Sequence, residues 1–206
     1  MGRLMAAFYD RLMQGSEEAC LQDWRAELLR DLRGDVLEIG AGTGASVPLY
    51  SAAVTRLILA EPDRHMRQRL ASKCGHNDGR VVISGSGAEA LELPDASVDA
   101  VVSSLVLCSV TDLQLAIAEV RRVLRPGGRF VFLEHVAAHD RPDRLRWQRR
   151  VEPVWKRVFG NCHLTRHTEQ ALIDAGFTLP DITRESMRKA NPLVRASIRG
   201  VAIAPS

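Results

Sequence analysis

A chain of 206 residues is long enough for one α/β domain with a sizeable core. Apolar residues make up 46% and charged residues 26%, which excludes a disordered or fibrous chain. With 28 basic against 25 acidic residues, the formal charge of +3 is too small to argue for a nucleic-acid surface.

The four cysteines, Cys20, Cys74, Cys108 and Cys162, are far apart with no C-x-x-C pair, so the expectation is reduced thiols, no disulfide framework and no metal site. The apolar stretch Ala100 to Val110 falls short of the about 20 apolar residues that span a bilayer. The opening Met-Gly-Arg-Leu-Met lacks the apolar run of a signal peptide. A soluble, cytoplasmic, single-domain protein over residues 1–206 is expected.

Apolar residues at helical spacing (Leu4, Phe8, Leu12; then Leu21, Trp24, Leu28) predict two helices within residues 1–32. Val36–Ile39 is the first strand, and it runs into Gly40-Ala41-Gly42-Thr43-Gly44. A helix holding Pro48 early is expected to follow and to end before Val54. Arg56–Ala60 reads as the second strand, with Glu61-Pro62-Asp63 opening another helix, and Val81–Ser84 as the third.

Val98–Ser104 is nearly all apolar, as in a central parallel strand covered on both faces. Leu113, Ile117, Val120 and Leu124 mark an amphipathic helix stopped by Pro126-Gly127-Gly128, and Arg129–Leu133 is the fifth strand. A basic helical insertion is expected over about Arg141–Phe159, kinked at Pro153, within a lid spanning residues 139–165. A helix over Thr168–Ala175 and two β runs near Phe177–Thr183 and Val194–Ala204 close the chain. This alternation predicts a doubly wound, mostly parallel seven-stranded sheet with helices on both faces. Its ligand crevice should lie at the carboxyl ends of the strands.

Three features coincide at those ends. The glycines are spaced G-x-G-x-G, which is neither the dinucleotide G-x-G-x-x-G nor a P-loop. No Lys or Arg stands near the turn and Glu38 precedes it, so a nucleoside carrying positive charge suits the site better than a phosphate. Glu61, directly after the second strand, can accept from both hydroxyls of a ribose. Gly87-Ala88-Glu89, after the third strand, can meet an adenine edge.

The motifs L-E-I-G-A-G-T-G, L-A-E-P-D, G-A-E-A-L, D-A-V-V-S-S-L-V-L and R-R-V-L-R-P-G-G-R-F resemble those of class I S-adenosylmethionine-dependent methyltransferases. That resemblance implies a Rossmann-like fold with S-adenosyl-L-methionine as cofactor. Gly40, Ala41, Gly42 and Gly44, with Glu38 before them, would carry its methionine end and ribose. Glu61 and Pro62 would meet the ribose, and Gly87, Ala88 and Glu89 the adenine. Ser104 and Leu105 would line the floor, and Tyr9 would cover the ligand. Gly87 departs from the Asp or Asn of many members, which moves the adenine contact toward Glu89.

The runs L-V-L-C-S-V, L-E-H-V and W-Q-x-x-V-E-P-V-W-K-x-x-F-G-N-C-H-L-T-R-H-T resemble the alkyl-thiol S-methyltransferases. Animal members of that group carry a hydrophobic N-terminal membrane anchor, which is not expected here. The resemblance implies methyl transfer to sulfide or a small alkyl thiol. His135 is then the candidate for assisting deprotonation, and Val106, Cys108 and Trp155 for lining the acceptor pocket. His163 and His167, four apart beside Cys162, lack a nearby fourth ligand and read as packing residues.

The stripe Trp147, Val151, Val154, Trp155 and Val158 is expected to face the pocket, with peripheral membrane contact through 141–159 as the alternative. Phospholipid N-methylation, quinone C-methylation and a cofactor-binding interaction module are the competing functions. No sequence signal bears on oligomeric state.

Overall fold

The computed structural model describes residues 3–75 and 79–205, and side chains from Asp10 onward. Its seven strands are β1 (Gly34–Ile39), β2 (Val54–Ala60), β3 (Val81–Ser84), β4 (Val98–Ser104), β5 (Leu124–His135), β6 (Thr178–Ser186) and β7 (Ala196–Ile203). They form one sheet in the order β3-β2-β1-β4-β5-β7-β6. β1 to β5 pair in parallel, and β7 runs antiparallel between β5 and β6.

The two-residue period of each strand explains the two-sided core. Leu37, Ile39, Ile58, Ala60, Val101, Phe130 and Phe132 face one layer. The intervening Val36, Leu57, Leu59, Ala100, Val102 and Val131 face the other. α4 (Leu113–Val123) and α6 (Thr168–Asp174) cover the first face, and α2 (Gln22–Leu29) and α3 (Arg64–Cys74) the second. α4 buries Leu113, Ala116, Ile117, Val120 and Val123 along one stripe, each larger aliphatic contributing about 1.5–3 kcal/mol. Asp63 and Asp112 cap α3 and α4 by accepting from first-turn amides.

The N-terminal pair is one continuous helical rod. α1 (Arg3–Ser16) passes through a π-helical turn (Glu17–Leu21) into α2 without leaving helical backbone angles. The helix expected after the glycine turn is not formed; Val47–Leu49 makes only a 3-10 turn. Pro48 cannot donate, and Tyr50 leaves the turn extended so that its hydroxyl reaches the buried Glu38. β5 starts earlier than expected because Leu124 already pairs with Val98, and the Pro-Gly-Gly segment loops out before pairing resumes at Arg129.

The insertion folds as α5 (Pro142–Val158), helical across Pro153. The expected apolar stripe divides. Trp147, Val154 and Val158 are 58%, 62% and 56% exposed, while the one buried residue of α5 is the polar Gln148. Gln148 accepts from Ala138 N (2.9 Å) and donates to Val136 O (3.2 Å) and Leu193 O (2.8 Å), so hydrogen bonding docks this helix. Among the described residues, no helix is long and apolar enough to cross a membrane.

Candidate functional site

The turn after β1 is held from two sides by carboxylates. Glu38 is 3% exposed, and its oxygens accept from Ser46 Oγ (2.8 Å) and Tyr50 Oη (2.9 Å). It therefore anchors the loop from within rather than presenting itself to a ligand. Burial pushes its carboxyl above the ordinary range, against the pull of those two bonds. Glu61, buried at the end of β2, accepts from Gly42 N (2.8 Å) and Asp63 N (2.7 Å). Two of the three expected features thus touch directly. Each Glu61 oxygen keeps a further lone pair, enough for two hydroxyl donors.

The glycines differ in what they do. A Cβ on Gly40 would strike Val106 at 2.5 Å, so that position is closed by packing. A Cβ on Gly42 would approach nothing nearer than Gly40 O at 3.9 Å, and its φ is +57°. Gly42 therefore faces open space beside Glu61, a cradle a side chain would fill. Ala41 is buried beneath it. α1 reaches this loop through Asp10, which accepts from Thr43 Oγ1 (2.5 Å) and Lys73 Nζ (3.1 Å). The side chain of Tyr9, the neighbouring residue, lies outside the described ones.

Glu89 takes a different partner. Its Oε1 accepts from Thr111 N (2.6 Å) and tethers the segment leading into α4. Ala88 is buried in the core beside it, and Gly87 closes a turn by accepting from Ala90 N (3.2 Å). Pro62 turns the chain into α3, its carbonyl held by Arg67 (3.0 Å).

At the end of β4, Ser104 Oγ accepts from Arg25 Nε (3.0 Å), whose guanidinium also clamps Glu17. Leu105 follows in the left-handed region at φ +61°, an uncommon conformation for a non-glycine residue. That turn is fixed by Glu134, fully buried at the end of β5. Its Oε1 accepts from Ser103 Oγ (2.6 Å), Val106 N (3.1 Å) and Leu107 N (3.1 Å). Burial raises its pKa. Glu134 went unmarked in the sequence, although an acid closing the apolar run F-V-F-L was its visible signal.

Beyond this turn lies a mostly apolar cavity of about 270 Å³, with Leu105, Cys108, His135, Trp155, Phe159 and Cys162 in its wall. Four of the residues expected near the reacting groups (Leu105, Cys108, His135, Trp155) meet there. Val106 instead packs over Gly40. Trp155 stacks on Phe159 at 4.1 Å between centroids.

The unforeseen member is Cys162. Its Sγ lies 3.1 Å from His135 Nε2 and accepts from Trp155 Nε1 at 3.3 Å. Hydrogen bonding with Cys108, then the His135 imidazole and Trp155, hold the Cys162 thiol well below the usual range. The same partnership and burial push Cys108 up. Cys162 stands apart from its sequence neighbours, since His163 turns to Glu152 and His167 to His139.

The comparisons agree with this architecture. A methyltransferase-domain family model matches residues 37–132, from β1 to β5. Human thiol S-methyltransferase TMT1A is 36% identical over 172 residues, 82% of this chain and 70% of the human protein. The rat thiol S-methyltransferase TMT1B is 33% identical over 186 residues, 86% and 73% of the two chains. The YcgJ protein of Bacillus subtilis superposes with a TM-score of 0.71 at 16% identity, covering 90% of this chain and 99% of its own. An S-adenosylmethionine-dependent methyltransferase from Thermotoga maritima gives 0.70 at 20%, covering 98% and 96%.

The fold, the glycine cradle and these relatives place the chain in the class I S-adenosylmethionine-dependent methyltransferases, to which it belongs. Within that class it resembles the thiol S-methyltransferases, and its cofactor is S-adenosyl-L-methionine.

Proposed function

We propose that the protein transfers a methyl group to sulfide or a small alkyl thiol by direct in-line displacement. The observation that carries this reading is the cavity beyond Leu105. It is small, mainly apolar, and holds Cys108, His135, Cys162 and Lys189 as its titratable lining groups. A volume of about 270 Å³ sits below the range of about 300–1,000 Å³ usual for drug-sized ligands, and a phospholipid would overfill it. The 33–38% identity to thiol S-methyltransferases across most of the chain supports the same acceptor class.

When bound, S-adenosylmethionine supplies a sulfonium methyl that is already activated toward nucleophiles. Gly40–Gly42 and Glu61 would hold the nucleoside and its amino-acid tail, with the Glu61 carboxylate free to accept from ribose hydroxyls, and Ala88 and Glu89 would border the adenine. Leu105, in the turn held by Glu134, lines the cavity wall and would set the line of approach. Trp155 and Phe159 exclude water from the acceptor sulfur. Because thiolate and sulfonium neutralise each other along the reaction, a dry apolar wall favours the transition state over the separated charges. Alignment is the main contribution, since a thiolate needs no covalent intermediate. Ionisation of the acceptor falls to the cluster that includes His135.

The test is to incubate the purified chain with S-adenosylmethionine and, separately, sulfide, methanethiol and phosphatidylethanolamine vesicles, then measure methylated product. Methanethiol from sulfide and dimethyl sulfide from methanethiol are expected, with no product from the vesicles. Product from the vesicles alone overturns the thiol reading. Cofactor binding without any product supports a binding module.

A further inference from the structure

Cys108, His135 and Cys162 come from three separate elements: the turn after β4, the last residue of β5, and the loop after α5. Cys108 and His135 are buried, and Cys162 is half-buried. Their Sγ, Nε2 and Sγ atoms all lie within 4.8 Å of one another, and His135 Nε2 is 3.1 Å from Cys162 Sγ. Tetrahedral zinc, with Zn–S of about 2.3 Å and Zn–N of about 2.0–2.1 Å, needs ligand separations of about 3.5–3.8 Å. Shifts of well under an ångström for the His135–Cys162 pair, and closure of any wider gap, bring the three atoms to that spacing.

We infer that Cys108, His135 and Cys162 form a zinc site with three protein ligands, whose open fourth position takes the acceptor sulfur. This rests on the thiol-transfer reading and gives the ionising role to the metal, with His135 as its nitrogen ligand rather than the proton acceptor.

Four observations point the same way. Two soft sulfurs and an imidazole are a donor set for zinc rather than for calcium or magnesium. The described residues offer no fourth His, Cys, Asp or Glu atom in the group, as in zinc sites that keep a position for substrate. All three residues line the acceptor cavity, so the open position faces where the thiol arrives. Trp155 Nε1 donates to Cys162 Sγ at 3.3 Å, an outer-shell bond of the kind that orients a thiolate ligand. His135 Nδ1 is buried without a partner among the described residues, so no carboxylate buttresses the imidazole. Affinity should therefore be lower than in a fully buttressed site.

The chemistry balances without an oxidant or reductant. The acceptor R–SH binds through sulfur and its proton leaves to water, because a thiol coordinated to zinc is deprotonated. The sulfur lone pair then forms the new S–CH₃ bond. The sulfonium S–CH₃ bond breaks, with its electron pair going to the cofactor sulfur. The products are S-adenosylhomocysteine and the neutral thioether R–S–CH₃, a weaker ligand that vacates the metal.

The test uses the full chain, purified under reducing conditions without chelator. Zinc is measured by mass spectrometry, then the metal-free protein is titrated with Co²⁺. Stoichiometric zinc is expected, together with a tetrahedral Co²⁺ spectrum carrying thiolate charge-transfer bands. Ethanethiol should change that spectrum. Cys108→Ser, His135→Ala and Cys162→Ser should lose the bound metal, and Cys74→Ser should retain it. Circular dichroism and cofactor affinity of each variant separate loss of ligand from loss of fold.

Wild-type protein with neither zinc nor a Co²⁺ spectrum overturns the inference, and if it still methylates thiols the thiol reading survives. A Cys108–Cys162 disulfide in place of metal overturns it as well. Bound metal whose spectrum ignores ethanethiol overturns the open position. Bound metal with no thiol methylation keeps the zinc site and overturns the thiol reading.

Discussion

Gly42 and Glu61 show how a single position carries chemistry. A side chain on Gly42 is opposed by its φ of +57° and would project into the cradle, where only Gly40 O lies within 4 Å. We expect Gly42→Val to weaken cofactor binding at least about 100-fold, or ~2.7 kcal/mol, in calorimetric titration, while the fold persists. Glu61→Ala should weaken it by about 1–3 kcal/mol, losing the ribose acceptor and the bond from Gly42 N together. Unchanged affinity in both variants would place the cofactor elsewhere.

Glu38 allows a test by pH. Burial raises its folded-state pKa above the ordinary value of 4.5, so the native state binds more protons than the unfolded one. Its contribution to stability is present at acid pH and is lost as pH rises through that raised value. Glu38→Gln does not titrate. Its unfolding temperature relative to wild type should therefore climb as pH rises above the ordinary carboxylate value. A flat or falling difference contradicts the assignment.

Elements differ in how far their sequences reveal them. The strands and α4 were legible because burial on one or two faces imposes a period of 2 or 3.6 that composition alone displays. The missing helix after the glycine turn was not, since its absence depends on Tyr50 reaching Glu38 across the loop, a contact invisible to local pattern. α5 misled in another way. Its apolar spacing suggested a buried stripe, yet Trp147, Val154 and Val158 face outward and Gln148 makes the docking bonds. Gln148→Ala leaves Ala138 N and two carbonyls without these partners. It should cost about 1–3 kcal/mol in denaturant unfolding and speed amide exchange across Pro142–Val158. Exchange confined to other elements would show that α5 is held otherwise.

For the whole molecule, parallel winding brings the ends of β1, β2, β4 and β5 to one rim. That is why residues as far apart in sequence as Gly42 and Cys162 lie along the same rim. The contact of the glycine turn with Glu61 was legible, because those motifs are short and contiguous. The cavity beyond Leu105 was legible only in part. Leu105, Cys108, His135 and Trp155 were marked, but the convergence of Cys162 with Cys108 and His135 joins residues separated by 54 and 27 positions. Only the assembled sheet and the loop after α5 bring them together. Glu134 escaped for a related reason: a buried acid acts by orienting a neighbouring turn, and its local sequence names no ligand.

A crystal structure of the protein with S-adenosylhomocysteine bound tests the central claim most directly. The account predicts ribose hydroxyls on the Glu61 carboxylate and the amino-acid tail over Gly40–Gly42. The sulfur should be directed past Leu105 toward Cys108, His135 and Cys162. A ligand seated away from Glu61, or one whose sulfur turns from that cavity, would contradict it.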